Sequence, residues 1–252
     1  MIYVGILNTD GIDPSDSSII SKIPEEARGR VEKTLNEKEK INRIGAYILL
    51  IRLCEELFNE KNIQIRYTDK GKPCLYKYDY VNKNSQILTN ISISHDGAIS
   101  CVALCDDNFD VGIDVQEEKT DINCSSLSKR FFKKIKGLSE DMAPLVKSLV
   151  SEPVLLNKGV SLKCFNYGDG CVFEVPCIDF LSERGINSQN NKDFFRKWTY
   201  LESHLKMSGD GFSGISCFDE IALGAECGCV EFFKNGNLYF LNVSVKEKKL
   251  LN

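Results

Sequence analysis

Three short segments hold the residues whose types and spacing could do chemistry. In Gly112-Ile113-Asp114-Val115-Gln116 an acid sits inside an apolar run, which is unusual because an uncompensated buried carboxylate is costly. Side chains alternate along a strand, so Asp114 and Gln116 share one face. Read alone, this segment fits a strand end whose polar side chains reach solvent. Trp198, Glu202 and Lys206 recur at every fourth position, which places them along one stripe of a helix. The plainer reading is a surface Glu–Lys pair contributing about 0.2–0.5 kcal/mol. The chemical reading is a carboxylate for metal or proton transfer beside a cation for phosphate. Ser92-Ile93-Ser94-His95 reads as a strand end. A lone histidine at a turn is more often a capping or surface group, yet with Gly71-Lys72-Pro73 it could form part of a phosphate cradle.

The elements that must position these residues follow from periodicity. Residues 2–7 read as a strand, Ile12 to Ile23 as a polar loop, and Pro24 to Leu57 as helical, with an apolar stripe from Ile41 to Leu53. Residues 63–67 read as a strand, and Asp69 to Pro73 as a turn. Asp96-Gly97, between alternating residues 91–94 and the apolar run Ile99 to Leu104, predicts a hairpin, because Asp-Gly supplies the positive φ angles of a two-residue turn. Val111 to Val115 reads as a buried strand and Leu127 to Lys136 as a basic helix. The signal weakens between Gly137 and Lys192. Phe194 to Met207 is an amphipathic helix, ended by Gly209-Asp210-Gly211. The remainder to Val245 reads as strands joined by turns, notably at Asn235-Gly236-Asn237. The join between two lobes falls near residues 105–117.

Composition narrows the classes. The chain has 252 residues, 42% apolar and 27% charged, which is ordinary for a globular protein and excludes disorder as the main state. Its longest apolar stretch, Ala46 to Leu53 with Arg52 inside it, is too short to cross a bilayer, and Met1 to Asp10 lacks the basic start of a signal peptide. Eleven cysteines without paired Cys-x-x-Cys spacing, and two histidines, fit free thiols in a cytoplasmic protein rather than a zinc site. A net charge of −4 argues against a dedicated nucleic-acid partner.

Taken together and in order, Gly-Lys-Pro, a strand ending Ser-His, Gly-Ile-Asp-Val, and Trp-Thr-x-x-Glu-Ser-x-x-Lys resemble the 4′-phosphopantetheinyl transferases of the surfactin-synthetase-activating type. Leu127 to Phe132 is similar to the helix that follows the family's Gly-Ile-Asp strand, and Arg43 stands where the family has a coenzyme A-binding arginine. The resemblance covers roughly residues 24–136 and 194–215. Three positions depart from it. The family usually has Glu at Gln116, Lys at Leu201 and an acid near Lys136, and the stretch 137–192 is longer than in its short members.

The resemblance implies an α+β fold of two similar lobes related by a pseudo-twofold axis, residues 1–110 and 111–252 with an insertion at 137–192, and an active site in the cleft between them. It implies transfer of the 4′-phosphopantetheine arm of coenzyme A to a serine of an apo acyl- or peptidyl-carrier protein, releasing adenosine 3′,5′-bisphosphate. A magnesium ion would be held by Asp114 and Glu202 beside Gln116, two carboxylates being common for this metal. Glu202 would act as base on the carrier serine. Lys206 would neutralise the leaving phosphate, with Asp114 completing the catalytic set. Lys72, Pro73, Ser94 and His95 would hold the phosphates, and Arg43 with Arg28 or Arg30 the 3′-phosphate. Lys129, Arg130, Lys133, Lys134 and Lys136 put five cations into eight residues, suited to steering an acidic carrier. Two alternatives stay open: an inactive homologue that binds coenzyme A or a carrier, and an unrelated magnesium-dependent phosphohydrolase.

Overall fold

The computed structural model describes residues 2–61, 63–79, 84–106, 108–132, 135, 160–166 and 189–248. Strands β1 (Ile2–Asn8), β2 (Ile63–Tyr67), β3 (Pro73–Asp79), β4 (Asn84–Asp96), β5 (Ile99–Cys105) and β7 (Val160–Asn166) form one sheet in the order β2-β3-β4-β5-β1-β7. It is antiparallel except for the parallel pair β1–β7. Strands β6 (Phe109–Glu117), β8 (Ala225–Lys234) and β9 (Asn237–Glu247) form a second, antiparallel sheet in the order β6-β9-β8. With its helices, the molecule is α+β.

Alternation along the strands builds four layers. Val102 and Leu104 of β5 and Ile91 of β4 face α3 (Glu37–Phe58), packing on Leu49, Leu50 and Leu53. Their neighbours Cys101, Ala103 and Cys105 turn to the other side, with Ile2, Val4 and Ile6 of β1, and meet Val111, Ile113 and Val115 of β6 and Leu241 and Val243 of β9. The opposite face of the second sheet carries Phe240, Asp114 and Ser244 under α5 (Gln189–Ser208), whose Leu201, Leu205 and Phe195 complete a third core. Helix α3 starts where Asn36 accepts a hydrogen bond from the Glu39 amide, and it stops at Asn59 in the left-handed conformation.

Several elements differ from the sequence reading. The loop over 12–23 contains a single helical turn, α1 (Ser17–Ile20), capped by Asp16, and α2 (Glu25–Glu32) is separate from α3. The hairpin between β4 and β5 is present, but its register pairs Asp96 with Ile99, so the loop is Gly97-Ala98, with Gly97 at φ +61°. The basic helix, α4 (Cys124–Phe131), begins three residues early because Asn123 caps it through the Ser126 amide. Lys133, Lys134 and Lys136 lie outside the described residues. The segment after Gly209 is not strand: residues Gly211–Cys217 form a 3-10 helix that runs into α6 (Phe218–Ala222), driven by burial of Phe218 and Ile221. The turn at Asn235-Gly236 holds, both residues having positive φ. Among the described residues no helix is long and apolar enough to cross a membrane.

Candidate active site

Asp114 lies mid-strand in β6, and Gly112 explains how a helix can reach it. A Cβ at Gly112 would stand 1.9 Å from the Ser203 carbonyl and 2.5 Å from the Met207 amide. Only glycine lets α5 lie this close across the strand. The approach brings Glu202 and Lys206 over Asp114.

The Asp114 side chain is 1% exposed, so it does not reach solvent as a strand end would. Three donors hold it: Lys206 Nζ at 2.7 Å and Ser94 Oγ at 2.8 Å on Oδ1, and Gln116 Nε2 at 3.2 Å on Oδ2. A buried carboxylate persists only when paired in this way. Glu202 joins the group through a hydrogen bond with Asp114, one turn of helix from Lys206, whose ammonium is 3.9 Å away. Burial first, and then the charge of Asp114, push the Glu202 carboxyl up to about 7, against the pull of Lys206 and a hydrogen bond with Trp198. Two acids share one cation.

The second wall comes from β4. Ser92, Ser94 and Asp96 face β6 and accept hydrogen bonds from its outward amides: Ile113 N at 3.0 Å, Val115 N at 3.2 Å and Glu117 N at 3.0 Å. The constant offset makes a parallel ladder of side chains onto backbone. Asp96 also pairs with Lys119 at 3.0 Å. His95, on the other face, stands near Arg43 and Glu39 of α3. Its burial, then the charges of Lys206 and Arg43, lower its pKa, which favours the neutral ring at pH 7. Arg43 is held by Glu39 at 2.6 Å, and the pair is partly exposed. Glu39 was not singled out from sequence, although its spacing of four from Arg43 was visible. Arg30 lies 3.5 Å above the Tyr67 ring, whose hydroxyl bonds that of Tyr47.

Ser94, His95, Asp114, Gln116, Glu202 and Lys206 are therefore brought together, with Arg43 beside His95. Two expected phosphate ligands are engaged elsewhere. Lys72 donates to the Met207 carbonyl and to Asp110 at 3.1 Å, with 11% of its side chain exposed. There it caps the C-terminus of α5, where the helix dipole is negative. Pro73 next to it opens β3 and pairs with Tyr67. Arg28 donates to the carbonyls of Ser21 and Ile23, at 3.0 and 3.1 Å, and so ties down the chain ahead of α2 instead of facing the acids. Leu201 is fully buried in the third core, so this position points away from the acids.

The donor set suits a magnesium ion. Two carboxylates pressed together, with one forced toward its protonated form, are relieved by a divalent cation, and oxygen donors match this metal. Among the described residues no group of three or more His, Cys, Asp or Glu side chains is placed to hold a metal ion, at this site or elsewhere. Lys129 and Arg130 of α4 are exposed. The neighbouring Phe131 packs edge-on against Trp198 and touches Phe212, which is 53% exposed.

A scan against protein-family models finds no family that matches the chain, and no curated protein matches it.

Proposed function

We propose that the protein transfers the 4′-phosphopantetheine group of coenzyme A to a serine of an acyl- or peptidyl-carrier protein. The observation that carries this reading is the Asp114–Glu202–Lys206 group, a buried acid beside a partly buried acid and a partly exposed ammonium, with neutral His95 and cationic Arg43 at its margin. In this reading residues 1–110 and 111–252 are two lobes related by a pseudo-twofold axis. Its support is that β4 and α3 supply one wall of the site, and β6 and α5 the other.

Glu202, with its pKa raised to about 7, suits a base that accepts the serine proton near neutral pH. Lys206 faces the charge that grows on the departing phosphate as the pyrophosphate bond breaks. His95 and Arg43 contact the phosphates, the arginine through its planar donor fork. A magnesium ion held by Asp114 and Glu202, with Gln116 beside them, would supply charge neutralisation at the pyrophosphate. Lys72 and Arg28 take no part, being engaged with backbone carbonyls. Lys129 and Arg130, next to Phe131 and Phe212, suit an acidic carrier with an apolar contact at its centre.

The test is incubation with coenzyme A, magnesium and a panel of apo-carriers, followed by mass spectrometry of the carrier serine. A phosphopantetheine mass gain is expected. Phosphate or nucleotide release without a carrier would replace the reading by hydrolysis, and no reaction with retained coenzyme A binding by an inactive homologue.

A further inference from the structure

The ladder between β4 and β6 has three rungs, and the middle one differs from its neighbours. Ser94 Oγ accepts from Val115 N at 3.2 Å and from Lys206 Nζ at 2.9 Å, and it donates to Asp114 Oδ1 at 2.8 Å. A serine hydroxyl has one hydrogen to give and two acceptor positions. All three are used, so no hydrogen is left for a phosphate oxygen, which needs a donor. Ser94 is also 5% exposed. From this we infer that Ser94 is a positioning residue: it fixes the Lys206 ammonium and the Asp114 carboxylate relative to each other and to the β6 backbone, and does not itself bind coenzyme A. The inference rests on the proposed transfer reaction for its kinetic part only.

The mechanism is geometric. Lys206 has a long flexible side chain that loses rotamer freedom when its ammonium is fixed. Without Ser94 the ammonium keeps one short hydrogen bond, to Asp114 at 2.7 Å, and only the longer ion pair with Glu202 at 3.9 Å. A second acceptor, itself pinned to the Val115 amide, defines its position from two sides. A group that stabilises a developing charge depends on such prior placement.

Ser92 supplies the control. Its hydroxyl accepts from Ile113 N at 3.0 Å and is 3% exposed, so it is an equivalent rung without the acid and the lysine. Ser94→Ala and Ser92→Ala should each speed hydrogen exchange at the amide they release, Val115 or Ile113. Only Ser94→Ala should lower kcat, by roughly tenfold, about 1.4 kcal/mol of barrier, with KM for coenzyme A within about twofold. Ser94→Thr, which keeps the hydroxyl, should recover most of the rate. A raised KM with unchanged kcat would make Ser94 a cofactor contact, and equal kcat losses in both alanine variants would make the ladder merely structural; either overturns the inference. If the wild-type protein transfers nothing, the functional reading fails by itself. Crystals of the two variants then decide: the Lys206–Asp114 contact of 2.7 Å should persist in Ser92→Ala and be lost in Ser94→Ala, and its persistence in both would refute the positioning role.

Discussion

Helix α5 carries two polar groups, one on each side, and they have opposite characters. Toward β9, the His204 Nδ1 contacts the Tyr200 carbonyl and Ser244 Oγ, both at 2.8 Å. Because a carbonyl only accepts, this nitrogen carries the hydrogen. Ser244 in turn meets Ser203 Oγ at 2.7 Å, and Ser203 donates to the Tyr200 carbonyl. Every charge is absent and these hydroxyls are partnered. Toward β6, Glu202 and Asp114 crowd each other and depend on a single lysine. Asn242 Nδ2 donates to Ser203 at 3.2 Å, and its Oδ1 is the one orphaned acceptor among these groups. A buried network that is neutral and largely paired holds a fold together, whereas one left with excess like charge is poised for a ligand.

The largest expected effect comes from removing the lysine. Lys206→Ala should lower kcat at least a hundredfold, about 2.7 kcal/mol, while coenzyme A affinity by calorimetry changes little, since the lysine acts on charge that grows in the transition state. A kcat within twofold of wild type would end the contrast between the two sides.

Gly112→Ala strikes both sides together. The new methyl group would meet the backbone of Ser203 and Met207, which cannot yield as a side chain can. We expect a loss of about 3 kcal/mol in urea denaturation, together with loss of transfer. A fully stable variant would show that the helix can be lifted without cost.

The two sides should also pull in opposite directions on acid stability. Burial lowers the His204 pKa from 6.5 to about 4, so across that window the unfolded chain binds the extra proton and stability rises with pH. Glu202 is raised from 4.5 to about 7, so there the folded protein binds the extra proton and stability falls with pH. Where the windows overlap, the slopes oppose, each about 1 kcal/mol per pH unit. Relative to wild type between pH 4.5 and 6.5, Glu202→Gln should leave a rise of stability with pH and His204→Gln a fall. Parallel shifts in both variants would refute the assignment.

The smallest effect concerns the end of the helix. Lys72→Met should cost about 1 kcal/mol of stability, read as a lower melting temperature, because it removes a cation from the C-terminus of α5. A weaker coenzyme A affinity at unchanged stability would make Lys72 a phosphate ligand.

What could be read from sequence was what is local. The Glu202–Lys206 spacing, the Gly97 hairpin and the Asn235-Gly236 turn are short-range facts, and the structure contains them. The environment of Asp114 was not legible, because its lysine is 92 residues distant. Alone, the strand looked like an end reaching solvent. Gly112 was visible as part of a motif, but its reason, a helix crossing at backbone contact, exists only in three dimensions. The contacts of Lys72 and Arg28 were hidden for a related cause: a cation's sequence context does not disclose which distant carbonyl it will meet. The helical segment after Gly209 lacks a long apolar period, being fixed by only two buried side chains, Phe218 and Ile221.

The rungs from Ser92, Ser94 and Asp96 have a consequence for solubility. Among the described residues β6 is the outermost strand of its sheet, and an outer strand with free amides invites another chain to pair with it. Here the outward amides of Ile113, Val115 and Glu117 are already taken by side chains of β4. A neighbouring molecule finds no unpaired row at these positions on which to build an intermolecular sheet.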